Sequence, residues 1–151
     1  MVCQIKFCLP VGKYWFLSPY APFPVKMEVD GSLFQFATVE HYYQAMKLYA
    51  SDERFQTIIN LKNPDDARLI TKKPEYKVNR RPDFEKNKFD IMEKALRAKF
   101  LQNPKAAEML KATSNALLIK SCSVCYKCGF GEGSGENRFG KMLMKIRDEI
   151  Q

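Results

Sequence analysis

The apolar and polar positions change period several times along the chain, and each change marks an element. From Thr38 to Lys47 the helical period dominates: Val39, Tyr43, Met46 and Ala50 form one stripe, and Glu40, Gln44 and Lys47 stack along a neighbouring one. This predicts a helix from Val39 to about Ala50, capped by the Thr38 hydroxyl, with a core face and a polar face. Residues seven apart share an azimuth after roughly 10.5 Å of rise, so Glu40 and Lys47 would approach a small ligand from either end of that face. Upstream, Pro19, Pro22 and Pro24 interrupt an aromatic-rich stretch and forbid a long helix. Val25 to Val29 and Leu33 to Phe36 then flank Asp30-Gly31, which predicts a two-stranded ribbon.

Downstream, short helices are predicted to begin at Ser51 or Asp52 and at Asn63-Pro64. Thr71 to Arg81 is basic and lacks periodicity, as a loop or short connector does. Phe89, Met92, Leu96 and Phe100, widened by Ile91 and Ala95, mark the longest amphipathic helix, from Asp83 to Leu101. Lys105 to Thr113 supplies another, Ala116 to Ile119 reads as a short buried strand, and Cys122 to Gly135 turns glycine-rich. A final helix from Asn137 carries Phe139, Met142, Leu143, Ile146 and Ile150 on one face. The balance is mainly α with a small β ribbon, expected to form a single domain over residues 1–151.

Composition narrows this picture modestly. The 151 residues, 46% hydrophobic and 28% charged, suit a soluble globular protein, and no apolar run approaches the roughly 20 residues that cross a bilayer. The first ten residues lack the pattern of a signal peptide, so the five cysteines read as reduced thiols in a cytoplasmic protein. A net charge of +8 implies an anionic partner, but its even spread argues against a dedicated DNA-binding protein.

Three constellations invite chemistry. Cys122, Cys125 and Cys128 have metal-ligand spacing but lack a nearby fourth ligand, so we expect no metal there. His41, the only histidine, sits beside Glu40 on a helix, where neighbours point about 100° apart. It reads as a packing or hydrogen-bonding residue. Gly129, Gly131, Gly133 and Gly135 precede a helix start at Asn137, where backbone N–H groups can approach an anion or polar heterocycle; a flexible connector is the alternative.

Several separated segments together resemble the NADAR (YbiA-like) family of N-glycosidases. They are Thr38-Val39-Glu40-His41-Tyr42-Tyr43-Gln44-Ala45-x-Lys47, Arg81-Pro82-Asp83, Ala98-Lys99-Phe100-x-Gln102-Asn103-Pro104, Gly129-x-Gly131, and Gly135-x-Asn137-x-x-Gly140-x-x-Leu143-Met144-x-Ile146-Arg147. Order and spacing agree from about Tyr14 to the C-terminus. The resemblance implies a compact, mainly helical fold that hydrolyses an N-glycosidic bond between a ribose phosphate and a heterocyclic base. It implies neither cofactor nor metal. The implied substrates are ribosylamino-pyrimidine intermediates of riboflavin synthesis, or ADP-ribose attached to guanine in nucleic acid. By motif position Glu40 and Lys47 become catalytic candidates, Gln44 and Asn137 polar contacts, and Arg81 a phosphate contact.

The chemistry suits those residue types. Breaking a C1′–N bond builds positive charge on the ribose, which a carboxylate such as Glu40 stabilises or relieves by activating water. Lys47 fits an electrostatic role, with attack on C1′ of a ring-opened ribosylamine as the minor alternative. The chain departs from the family in having Ser18-Pro19 for Ser-Asn, Cys125-x-x-Cys128-Gly129 for Asp-x-x-Trp-Gly, and Phe84 for a common tryptophan. Phe16, Tyr42 and Phe130 are the candidate replacements for the stacking ring. Phe16, Ser18 and Gly129 therefore join Gln44, Arg81 and Asn137 as expected substrate-binding residues. A non-catalytic protein that binds or sequesters an ADP-ribose-like ligand with the same fold is the alternative reading.

Overall fold

The computed structural model describes residues 2–121 and 136–151. Cys122 to Gly135, with the cysteine triplet and the glycine run, lies outside the described residues. Among those described, six α-helices and four short strands confirm a mainly α architecture with a small β content. The chain divides into two compact units, Met1–Ala21 with Phe100–Gln151, and Pro22–Lys99.

In the second unit, β2 (Val25–Val29) and β3 (Ser32–Phe36) pair antiparallel, with Val25 opposite Phe36 and Val29 opposite Ser32. Asp30 and Gly31 both take positive φ, as a two-residue hairpin loop of this hand requires. Four helices follow the ribbon, α1 (Val39–Ala45), α2 (Glu53–Asn60), α3 (Pro64–Ile70) and α4 (Phe84–Gln102, in this unit to Lys99). Asp52 and Asn63 cap α2 and α3 as the sequence indicates. A short 3-10 turn, Pro74–Tyr76, interrupts the connector between α3 and α4.

Two expectations for α1 need correction. Every residue from Val39 to Ala45 is buried, so the helix has no solvated polar face and its polar side chains must find partners inside the protein. Aromatic packing explains the burial. Tyr42 meets Phe36 of the ribbon edge to face at 5.1 Å, Phe55 of α2 packs on Phe34 and Phe36, and Tyr43 lies 5.3 Å from Phe84 of α4. The helix also ends at Ala45 rather than near Ala50: the amides of Lys47 and Leu48 turn to the carbonyls three residues back, Gln44 O and Ala45 O, and Arg81 takes the Lys47 and Leu48 carbonyls through its backbone amide and its Nε.

In the first unit, β1 (Gln4–Phe7), a strand the hydrophobic pattern does not announce, pairs parallel with β4 (Leu117–Lys120). Helices α5 (Pro104–Lys111) and α6 (Arg138–Ile150) pack with them. Gly140 brings α6 hard against β4: a Cβ there would sit 2.1 Å from the Leu118 carbonyl oxygen and about as close to the Asn137 amide. Asn137, left-handed at φ 47°, uses that contact to donate from Nδ2 to Leu118 O at 2.8 Å and accept from Lys120 N at 3.3 Å. Its side chain thus stands in for a strand partner. Cys3 is a free thiol, but Cys8 is disulfide-bonded, so the reading of all five cysteines as reduced fails at Cys8.

Two outcomes follow from this packing. Gly140→Ala adds helix propensity yet places a methyl against backbone that cannot yield, so it should destabilise by about 1–3 kcal/mol, measured by urea unfolding. Lys99 is completely buried, its Nζ 5.5 Å from the Phe23 ring centre, and desolvation lowers its pKa from 10.5 to about 7. Between those values the unfolded chain holds a proton the folded chain lacks, so the Lys99 contribution favours unfolding below pH 7 and this cost disappears as pH rises toward 10.5. Lys99→Met should therefore flatten the rise in Tm between pH 7 and 10, measured by thermal unfolding across that range.

Candidate functional site

The polar side chains of α1 resolve into one chain of hydrogen bonds. Glu40, 4% exposed, accepts from Gln44 Nε2 at 2.7 Å. Thr71, directly after α3, places Oγ1 2.7 Å from Gln44 Oε1, and Lys47 Nζ donates to that hydroxyl at 3.3 Å. An ionised carboxylate only accepts, which turns the Gln44 amide nitrogen toward Glu40 and its oxygen toward Thr71. The Thr71 hydroxyl must then donate to Gln44, leaving its lone pairs for the ammonium. The relay therefore links the Lys47 amine through Thr71 and Gln44 to the Glu40 carboxyl group, with the Arg68 carbonyl 3.0 Å from the Thr71 hydroxyl as a second acceptor.

Adjacent arginines hold the backbone at its middle and at its Lys47 end. Arg80 donates from Nη2 to the Thr71 carbonyl and from Nε to Tyr76 O at 2.7 Å. Burial lowers its pKa from the ordinary guanidinium value. Arg81 grips the Lys47 end. Its backbone amide donates to Lys47 O at 2.8 Å and its Nε to Leu48 O at 2.8 Å. Its Nη2 donates to Asp30 at 2.6 Å, and the same Asp30 oxygen accepts from Ala50 N at 2.7 Å. The Arg81 hydrogen bond, then the Ala50 one, holds the Asp30 carboxyl below its usual pKa. The hairpin apex and the connector thus fix the turn that carries Lys47, whose ammonium lies 5.9 Å from the Tyr43 ring centre and 5.7 Å from that of Phe84.

His41 is fully buried and plays no part in the relay. Its Nε2 donates to Leu61 O at 2.7 Å, which leaves Nδ1 to accept from the Thr38 hydroxyl at 2.8 Å. Burial pushes its pKa below the usual value, against the smaller raising effect of the Leu61 bond. It is a neutral pin, as its position beside Glu40 suggests.

The structure thus brings Glu40, Gln44 and Lys47 together and ties Arg81 to the turn bearing Lys47. Thr71, the middle of the relay, carries no sequence signal beyond its place after a helix. Arg80 reads only as part of a basic loop. Among the other expected site residues, Phe16, Ser18 and Asn137 belong to the first unit. Phe16 is buried beside the Tyr14 and Trp15 rings, Ser18 Oγ accepts from Tyr20 N at 3.1 Å, and both amide heavy atoms of Asn137 are engaged with β4. Gly129 lies outside the described residues. Among the described residues no three His, Cys, Asp or Glu side chains cluster as metal ligands, and no helix is long and apolar enough to cross a membrane.

Comparison with known proteins bears on this arrangement. The N-glycosidase YbiA of Escherichia coli (strain K12) is 33% identical over 148 residues, covering 97% of this chain and 88% of that protein. The chloroplastic riboflavin biosynthesis protein PYRR of Zea mays is 34% identical over 142 residues, 88% of this chain but only 23% of the maize protein's length. The NMR structure of E. coli YbiA superposes with a TM-score of 0.80 at 32% identity, covering 99% of this chain and 86% of that one. The NADAR domain profile matches residues 7–151, nearly the whole length over which these relatives align, and the chain belongs to the NADAR domain family.

Proposed function

We propose that this protein is an N-glycosidase that hydrolyses the bond between a ribose phosphate, or ADP-ribose, and a nucleobase-like heterocycle. The observation that carries the reading is the buried relay from Lys47 through Thr71 and Gln44 to Glu40. Homologues named N-glycosidase and a relative named for riboflavin biosynthesis support the reaction class and the riboflavin-pathway ribosylamines as one substrate group. ADP-ribosyl-guanine in nucleic acid is the other, and the net charge of +8 suits either anion. We assign the activity to the cytoplasm, without cofactor or metal.

In this mechanism Glu40 faces the cation that develops at C1′ as the C1′–N bond breaks. It stabilises that charge directly or takes a proton from the water whose oxygen bonds to C1′, and the departing nitrogen leaves protonated. Gln44 and Thr71 hold one carboxylate oxygen in place, so the anion pays no reorganisation cost as charge builds. Lys47 supplies electrostatic balance at the far end of the relay and a donor for the sugar or leaving group. Arg81 is the phosphate contact in this scheme, with its remaining N–H groups facing the ligand.

Incubation with riboflavin-pathway ribosylamines and with ADP-ribosylated guanine DNA, followed by mass spectrometry, should show release of the free heterocycle from at least one. Binding without turnover of either would establish the non-catalytic alternative instead. Glu40→Gln should lower kcat by about two orders of magnitude or more while leaving ligand affinity nearly intact. Equal turnover would remove Glu40 from the mechanism. Thr71→Val keeps the shape but cuts the relay, so kcat should fall about tenfold with little change in KM, and Thr71→Ser should restore it. Arg81→Lys should weaken phosphorylated ligands at least about tenfold more than their dephosphorylated counterparts in calorimetry at fixed salt. Equal weakening would confine Arg81 to holding the Lys47 turn.

A further inference from the structure

Within the first unit lies a cavity of about 450 Å³ that none of Glu40, Gln44 or Lys47 lines. Its size falls in the range of small-molecule sites. Apolar surface dominates its walls, where the Tyr14 and Phe16 rings, 6.5 Å apart and tilted by 60°, stand with Ile5 and Met109. Its polar groups come from two places. Lys13 contributes an exposed ammonium 5.4 Å from the Tyr14 ring centre, and the turn from Thr113 to Ala116 contributes the rest.

That turn is unusually well determined. Ser114 takes the left-handed conformation at φ 56°, and Arg147, buried in α6, donates from Nη1 to Thr113 Oγ1 and to Ala116 O, both at 2.9 Å. The α5 C-terminus ends in the same wall, at Ala112, where its carbonyl dipoles would repel an anion. The Arg147 guanidinium, bonded to the wall without lining the cavity, offsets that negative end. Its Nη1 bonds go to neutral oxygens, its Nε has no hydrogen-bond partner among the described residues, and the neighbouring Asp148 is the carboxylate whose charge acts on it. Ring walls, a rim ammonium and a cation behind the turn occur together. Among the described residues no carboxylate lines the cavity.

We propose that this cavity is a second ligand site, for a flat aromatic molecule that carries an anionic substituent, its ring against Tyr14 and Phe16 and its anion at Lys13. The reading uses no residue of the relay, and it gives Phe16, expected from the family resemblance to contact substrate, a place in this second cavity instead. Cys3, a free and exposed thiol that lines the cavity, reports occupancy directly.

The test uses the full chain with three probes: adenosine monophosphate for ring and charge, adenosine for ring alone, and ribose 5-phosphate for charge alone. Calorimetry gives affinities, and peptide mass spectrometry follows Cys3 alkylation by iodoacetamide with and without probe. Adenosine monophosphate should bind at least about tenfold tighter than either part and slow Cys3 alkylation saturably. Ala112→Phe, which fills the cavity from an exposed position, should abolish that protection, and Lys13→Glu should weaken adenosine monophosphate about tenfold while leaving adenosine unchanged. Circular dichroism and Tm confirm that each variant is folded. Adenosine monophosphate binding that neither protects Cys3 nor responds to Ala112→Phe would place the ligand elsewhere and overturn the proposal. Equal affinity for adenosine, or for ribose 5-phosphate, would overturn it too, as would no binding of any probe at millimolar concentration.

Discussion

A carboxylate inside a buried helix is the constraint to which the rest of the second unit answers. Placing Glu40 at 4% exposure would cost several kcal/mol if its oxygens had no partners. Gln44 meets one of them, but only by committing its own amide, so the demand passes to Thr71 and then to Lys47. The four members of the relay sit on three pieces of backbone: Glu40 and Gln44 on α1, Thr71 after α3, and Lys47 on the turn after α1. Their alignment requires Arg80 to hold one carbonyl and Arg81 two more. A hairpin apex, through Asp30, completes the arrangement.

The same reasoning extends to the other buried polar groups. His41 stays neutral because burial penalises its charge, and its two ring nitrogens are used one as donor and one as acceptor. Asn137 converts a left-handed backbone and an amide into a surrogate strand edge, and it can do so only because Gly140 has no side chain. Arg147 gives its guanidinium to a turn rather than to solvent. In each case a residue type that is ordinary on surfaces has been turned into a structural tie, and the tie fixes the position of a neighbouring loop. Preorganisation of this kind is what a site for a short-lived cation needs, since dipoles that must reorient cost the energy they were meant to supply.

Family membership and physical chemistry meet at α1. The motif residues Glu40, Gln44 and Lys47 are those joined by the relay, while Lys99, within another quoted motif, is wholly buried in α4. Arg81 combines two demands, since the proposed phosphate contact is also the group that holds the Lys47 turn after α1.

Local interactions were legible from the residues alone. Asp30-Gly31 announced the hairpin, Thr38, Asp52 and Asn63 announced helix starts, and the spacing of Phe139, Met142, Leu143 and Ile146 announced α6, because turn geometry, capping and helical periodicity depend on neighbours a few residues away. The motif that holds Glu40, Gln44 and Lys47 was legible too, through its resemblance to a family. Partners distant in sequence decided the remainder. The β1–β4 pairing joins residues more than a hundred positions apart, and neither four-residue strand carries enough pattern to identify the other. The polar stripe of α1 looks the same whether it faces water or the interior. Only the packing of Phe36, Phe55 and Phe84 around Tyr42 and Tyr43 buries it, and that burial turns three separate polar side chains, with Thr71, into one connected relay.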